Sequence, residues 1–233
     1  MKYVRVVFGT FVRRLNRFAA EVEIEGRLET VHVKNTGRLK ELLVPGACVG
    51  LSPSRNEARK YRHSLISVKK GGIWVNIDSH APNRVVHEAL EKGGVPELAG
   101  LERLKREAVF GQSRFDFCFE RNGRKGFMEV KGVTLEKDGT ALFPDAPTER
   151  GARHVRELIR AVKEGCEGVV FFLIQMPGCR RFAPHGKMDP SFAEALKTAA
   201  ANGVRVLAYD AEVTAGSLVI GKPVPVDLEG EVR

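Results

Sequence analysis

Asp116, Glu129 and Lys131 have the types and spacing of a hydrolytic metal site, within the stretch RFDFCFERNGRKGFMEVKGVTL at residues 114–135. Two strand-like runs there flank Asn122-Gly123, a dipeptide that tolerates positive φ and suits a two-residue type I′ hairpin turn. Counting outward from that turn sets Arg121 against Arg124, Glu120 against Lys125, Phe117 against Met128 and Asp116 against Glu129. Alternation then puts Arg114, Asp116, Glu129 and Lys131 on one face, and Phe115, Phe117, Phe119, Met128 and Val130 on the other. Two carboxylates opposed across a ladder have Cβ atoms roughly 5 Å apart, where like charges repel. A divalent cation between them turns that repulsion into ligation, since Mg²⁺ takes one or two carboxylates together with water and substrate phosphate. The competing reading is a solvated strand face on which Glu129–Lys131 and Asp116–Arg114 pair as surface charges. Met128, Val130 and Val133 argue instead for a strand away from the surface.

Asp, a dozen residues, then Glu-x-Lys also resembles the pattern of the PD-(D/E)xK nucleases. That resemblance implies an αβββαβ core with the acids on adjacent strands. It further implies Mg²⁺, or Mn²⁺, held on the scissile phosphate by Asp116 and Glu129, with Lys131 positioning or activating the attacking water.

The elements around the hairpin fit such a core. After Ala81-Pro82 a helix begins, with Val85, Val86, Ala89 and Leu90 at helical spacing up to Gly93-Gly94. Glu88 lies on the side of that helix away from Val85 and Val86, as a candidate third metal ligand or as a solvated helix residue. Residues 104–110 read as a first strand, and residues 136–147 as a loop. Thr148 is an expected N-cap and Gly165 a helix end, with Ala152, Val155, Leu158, Ile159 and Val162 as the buried stripe. His154 lies beside that stripe and reads as a surface residue. The apolar run at 169–175 has the character of a strand buried on both sides, followed by a helix at 192–201 and a strand at 204–209. The order is helix, three strands, helix, strand, helix, strand.

The first third of the chain is different in kind. Residues 1–80 carry 15 Lys/Arg against 7 Asp/Glu, whereas residues 81–233 carry 23 against 22. Nearly all of the +9 net charge therefore sits in one module, which points to a polyanionic partner. Strand-like runs at 3–11, 17–24, 28–33, 48–51, 63–68 and 73–77, with a helix-like piece at 37–43, describe an OB-type barrel. The loops an OB barrel uses for oligonucleotides would be 12–16, with Arg13 and Arg14 next to Arg17, and 53–62, with Arg55, Arg59, Lys60, Tyr61 and Arg62. Cations beside an aromatic suit phosphate tracking with base stacking. Lys34, Asn35, Thr36 and Arg38 form a second polar cluster that could cradle a phosphate or simply cap a helix.

The longest strongly apolar run, at 169–174, is too short to cross a bilayer, and the N-terminus lacks a signal-peptide h-region, so a cytoplasmic protein without a membrane partner is expected. Cys48, Cys118, Cys166 and Cys179 form no CxxC pair and read as scattered thiols. The expected organisation is an OB-like nucleic-acid-binding domain at 1–80 and a nuclease-like α/β domain at 81–233.

Over its full length the chain resembles the sugar fermentation stimulation protein A family. The matching segments are Lys34-Asn35-Thr36-Gly37, Pro82-Asn83-Arg84 with Glu88, Ser113-Arg114-Phe115-Asp116-Phe117, the run 128–135 and the run 143–151, all in the right order. One departure is Val33-Lys34, where members commonly carry Cys-Pro. The resemblance implies DNA binding with little sequence preference, single strand or duplex undecided, and a role in sugar (maltose) metabolism. It leaves two alternatives: an active nuclease, or a non-catalytic DNA-binding regulator with an inactive nuclease-like site.

Overall fold

Alternating burial along the first strands closes them into a barrel. The computed structural model describes residues 1–54, 56 and 58–230. Strands β1 (Val7–Asn16), β2 (Ala19–Ile24), β3 (Arg27–Val33), β4 (Cys48–Pro53), β5 (His63–Lys70) and β6 (Ile73–Asn76) lie in the order β3-β2-β1-β4-β5-β6. A parallel pairing of His32 with Ser64 and Val33 with Leu65 joins β3 to β5 and closes a five-stranded, OB-like ring. Phe11, Val22, Val31, Val49 and Leu51 are buried, with Val49 and Leu51 at the period of two, while β5 is buried without a break from Ser64 to Val68.

Two local expectations fail in the barrel. Residues 12–16 are strand, not loop: β1 runs to Asn16, opposite Ala19, and the turn is Arg17-Phe18. Bulges at Phe11/Arg13 and Arg14/Asn16 let this long strand coil around the barrel. Residues 37–43 are turns, not helix, and Leu39 at φ 50° is incompatible with a right-handed helical run. Arg14 holds that segment in place. Its guanidinium donates to the carbonyls of Asn16, Arg17, Asn35, Gly37 and Arg38 at 2.6–3.2 Å.

The second part follows the expected order. Helix α1 (Ala81–Glu91) is followed by β7 (Leu101–Phe110), β8 (Ser113–Arg121) and β9 (Arg124–Val133). Then come α2 (Glu149–Lys163), β12 (Glu167–Ile174), α3 (Pro190–Ala201) and β14 (Arg205–Thr214), with β15 (Ser217–Pro223) on the edge. The sheet order is β15-β14-β12-β9-β8-β7, with β9, β12 and β14 parallel. Three short strands fall outside the expectation. β10 (Leu135–Lys137) and β11 (Thr140–Phe143) form a hairpin inside the stretch read as a loop, and β11 pairs in parallel with β13 (Arg181–Pro184). Asp138 and Gly139, at φ 52° and 78°, make the hairpin turn by the same chemistry as Asn122-Gly123.

Strand β12 is buried on both faces. Val169, Phe171 and Leu173 join Phe117, Phe119, Met128 and Val130 under α1. Val170, Phe172 and Ile174 join Val155, Leu158 and Phe192 under α2 and α3. Thr148 Oγ1 accepts the Gly151 N–H to cap α2, and a single carboxylate, Asp189, accepts N–H groups from Phe192 of α3 and from Thr148. All four cysteines are free, and burial pushes the Cys179 thiol up to about 11, which makes it a poor nucleophile. Among the described residues no helix is long and apolar enough to cross a membrane.

The β8–β9 hairpin has the expected turn, with Asn122 at φ 49° and Gly123 at φ 70°. Arg121/Arg124, Glu120/Lys125 and Phe117/Met128 pair as counted. There the ladder ends. Asp116 Oδ2 accepts the Val130 N–H at 2.8 Å, so a side chain stands where a backbone partner would be and β8 peels away from β9. Phe115 consequently leaves the Phe117 face on which it was expected. It packs against Phe127 and the edge of His154, with ring centroids 5.6 and 5.9 Å away.

Two stability outcomes follow from these contacts. A Cβ at Gly126 would sit 2.3 Å from the Phe119 ring across the ladder, so Gly126→Ala should cost about 1–3 kcal/mol in urea unfolding. Arg14→Ala should cost about 2–3 kcal/mol, because several carbonyls lose a charged donor, and Arg14→Lys should recover little of it.

Candidate active site

The hairpin brings its two acids together at the point of divergence, not as a ladder pair. Glu129 lies on the central strand β9, opposite Val170 of β12, and is 4% exposed. Its Oε1 accepts from Lys131 Nζ at 2.6 Å and is 2.7 Å from His154 Nδ1 of α2. Its Oε2 is buried and has no hydrogen-bond partner among the described residues. Asp116 is held from the other side of the sheet. Asn83 of α1 donates from Nδ2 to Oδ1 at 2.6 Å, and Val130 N–H takes Oδ2.

The electrostatics separate the two carboxyls. Burial raises the Asp116 pKa, and the nearby charge of Glu129 raises it further, against the hydrogen bonds from Val130 and Asn83. Burial also works to raise Glu129, but the His154 hydrogen bond and the Lys131 charge outweigh it and hold that carboxyl below its ordinary value. Two acids close enough to repel, one of them with an unpartnered oxygen, form a donor set suited to a hard divalent cation. Each Asp116 oxygen keeps a lone pair beyond the bond it accepts.

His154 was expected at the surface and is 2% exposed. Arg150 Nε donates to its Nε2 at 3.4 Å, which assigns the remaining proton to Nδ1, so His154 donates to Glu129. The signal was available. Residues 151, 154, 155, 158 and 161 are all buried on α2, and His154 belongs to that stripe by its spacing of three from Gly151 and four from Leu158. Glu88 is displaced in the opposite sense. It lies about 140° around the helix from Asn83 and pairs with the Met1 amino group at 2.7 Å. Among the described residues no third His, Cys, Asp or Glu completes a metal-binding group with Asp116 and Glu129. The residue that α1 contributes to the acids is Asn83. Arg114 is exposed and lies 3.7 Å from Glu107.

The basic residues of the barrel divide into braces and exposed cations. Arg14 is committed to backbone carbonyls, and burial lowers its pKa. Arg13 is paired with Glu21 at 2.7 Å, and Lys34 with buried Asp78 at 3.1 Å. Asn35 builds its loop by accepting from Gly37 N–H and donating to the Ile77 carbonyl. Arg17, Thr36, Arg38, Arg59, Lys60 and Arg62 are exposed. Tyr61, with Lys60 Nζ 5.4 Å from its ring centroid, stacks on His32 at 6.3 Å. Arg55 lies outside the described residues.

Comparisons with known proteins agree with this architecture. Residues 12–77 match the family model described as the SfsA N-terminal OB domain, and residues 80–217 match the sugar fermentation stimulation protein RE domain. A sugar fermentation stimulation protein homolog of Alkaliphilus oremlandii is 51% identical, over 97% of this chain and 99% of that protein. A homolog of Desulfitobacterium hafniense is 50% identical, over 98% and 99%. Among solved structures, Pyrococcus furiosus SfsA in complex with Ca²⁺ superposes with a TM-score of 0.89 at 32% identity, covering 97% of this chain and 98% of that one. With both of its parts matched in order and at these identities, the chain belongs to the sugar fermentation stimulation protein family.

Proposed function

We propose that this protein binds DNA through its basic barrel and hydrolyses phosphodiester bonds at Asp116, Glu129 and Lys131 with the help of a divalent cation. The observation that carries the reading is the Glu129 carboxylate. One oxygen is fixed by Lys131 and His154, and the other is buried without a partner beside a second acid. The Ca²⁺ complex of the Pyrococcus furiosus relative supports a divalent-cation site here. Asp116 and Glu129 would hold Mg²⁺ or Mn²⁺; Glu88, paired with Met1, is not among the proposed ligands. Such an ion supplies Lewis-acid polarisation of the phosphate and a more acidic bound water.

The chain's own groups do the rest. Lys131 spends one of its three donors on Glu129 and keeps two to orient the attacking water and to meet charge developing on the phosphate. His154 and Asn83 fix the two carboxylates from opposite faces, so neither has to reorganise when a cation arrives. Arg17, Arg38, Arg59 and Arg62 provide sequence-independent contacts to the backbone of the nucleic acid.

Incubation of labelled single- and double-stranded DNA with Mg²⁺ or Mn²⁺ should give cleavage that Asp116→Ala, Glu129→Ala and Lys131→Ala each reduce by about 10²-fold or more. His154→Ala should weaken Mn²⁺ affinity about 10–100-fold in calorimetry, with partial rescue by His154→Gln. Binding without cation-dependent cleavage would remove the enzyme and leave the regulator reading. DNA affinity should fall as salt rises, with a log–log slope of about −0.7 to −0.9 per phosphate neutralised. Arg38→Ala with Arg62→Ala should make that slope shallower by about 1.5, and a salt-independent affinity would rule out the basic edge as the binding surface.

A further inference from the structure

A cavity of about 380 Å³ opens between the barrel and the sheet at the C-terminal ends of the parallel strands β9 and β12. Ligand crevices in α/β sheets lie at this end of the strands, and the volume is in the ~300–1,000 Å³ range of small-ligand sites. Gly132, the residue after Lys131 on β9, forms part of its wall, while Asp116 and Glu129 do not line it. Its chemistry is mixed in a way that selects a ligand class. Phe143, Pro144 and Pro147 present apolar surface to a flat ring, while Thr36, Ser79 and Thr134 supply hydroxyls. Asp145 also lines it, with Oδ2 accepting the Arg38 N–H at 3.0 Å. A carboxylate in the wall repels a bare phosphate but accepts from the N–H edge of a heterocycle. The cation on the lining is Arg17, which is exposed.

We propose that this cavity receives one unstacked nucleobase, with the adjoining phosphates passing Arg17 on one side and the Asp116–Glu129 pair on the other. The inference rests on the nucleic-acid reading above and sharpens it, because a base can enter only from a single strand, a frayed end or a flipped position. The preferred substrate is therefore single-stranded. Both parts of the chain build the pocket: Arg14 braces the 35–38 loop on one wall, and Asp189, through the Thr148 N–H, anchors the end of the 143–148 segment on the other.

The test uses the full chain in EDTA, so that binding is read without cleavage. Anisotropy titrations compare a short fluorescein-labelled single strand with the blunt duplex of the same sequence. The single strand should bind about tenfold more tightly. Ala146→Trp, which fills the cavity from the half-buried 143–148 segment, should weaken single-strand binding roughly tenfold while leaving duplex affinity and Tm unchanged. Thr134→Val, close in size and lacking the hydroxyl, should weaken it by about threefold and serves if the tryptophan variant fails to fold. Equal affinity for duplex and single strand, or undiminished single-strand binding in a folded variant, overturns the proposal. So does saturable binding of a free hexose that Ala146→Trp abolishes while oligonucleotide binding survives. Cation-dependent cleavage of the single strand at full rate in Ala146→Trp would keep the nuclease and sink the pocket. Loss of single-strand affinity in the same variant, with no cleavage by the unsubstituted protein, would do the reverse.

Discussion

The burial of the Glu129 carboxylate is the constraint around which the second part of this protein is arranged. An ionised carboxylate taken out of water is strongly destabilised unless charge and hydrogen bonds replace its hydration. Lys131, two residues along the same strand, supplies the charge, and His154 supplies a second donor from the helix packed on that face. Both act on one oxygen. The other is left without a protein partner beside a second acid, an arrangement that folding alone does not call for and that a hard cation or an ordered water would complete.

Asp116 makes that arrangement possible by ending a ladder. Its carboxylate takes the Val130 N–H, β8 leaves β9, and the gap between the strands becomes the place where the acids approach. The same departure moves Phe115 to the α2 side, where it packs on the edge of the His154 ring. One backbone hydrogen bond exchanged for a side-chain bond thus opens the site and helps to seat the histidine that orients its other half.

The barrel and the sheet are joined by a buried polar seam. Asn76 N–H donates to the Gln175 carbonyl, and Gln175 Nε2 returns bonds to Asn76 Oδ1 and the Asp78 carbonyl. Asp78 accepts from Tyr3 and Lys34, and burial together with the Asp78 charge pushes the Tyr3 phenol upward. Arg38 N–H meets Asp145 across the same junction. Polar groups buried this way are satisfied in one geometry only, so the seam sets the barrel's cations relative to the acids more tightly than apolar contact would.

What the sequence alone determined were the features with local causes. Asn122-Gly123 specified the hairpin and its register near the turn, because both residues accept positive φ. The unbroken apolar run of β12 announced a strand covered on both faces, and the succession of short strand-like runs in the first third announced the barrel. Asp138-Gly139 obeys the turn rule just as well, but its strands, three and four residues long, are too short to show a pattern in the sequence. Only the tertiary structure decided which charges were braces and which were available. Arg14 and Arg17 look alike in the chain, yet one is spent on five carbonyls and the other is exposed. Glu88 and Asn83 share a helix, but only the packing of α1 selects which of its faces meets Asp116. The physical reason is one of range: turn chemistry and periodicity act between near neighbours, whereas the desolvation that shifts a carboxylate's pKa depends on residues brought from distant parts of the chain.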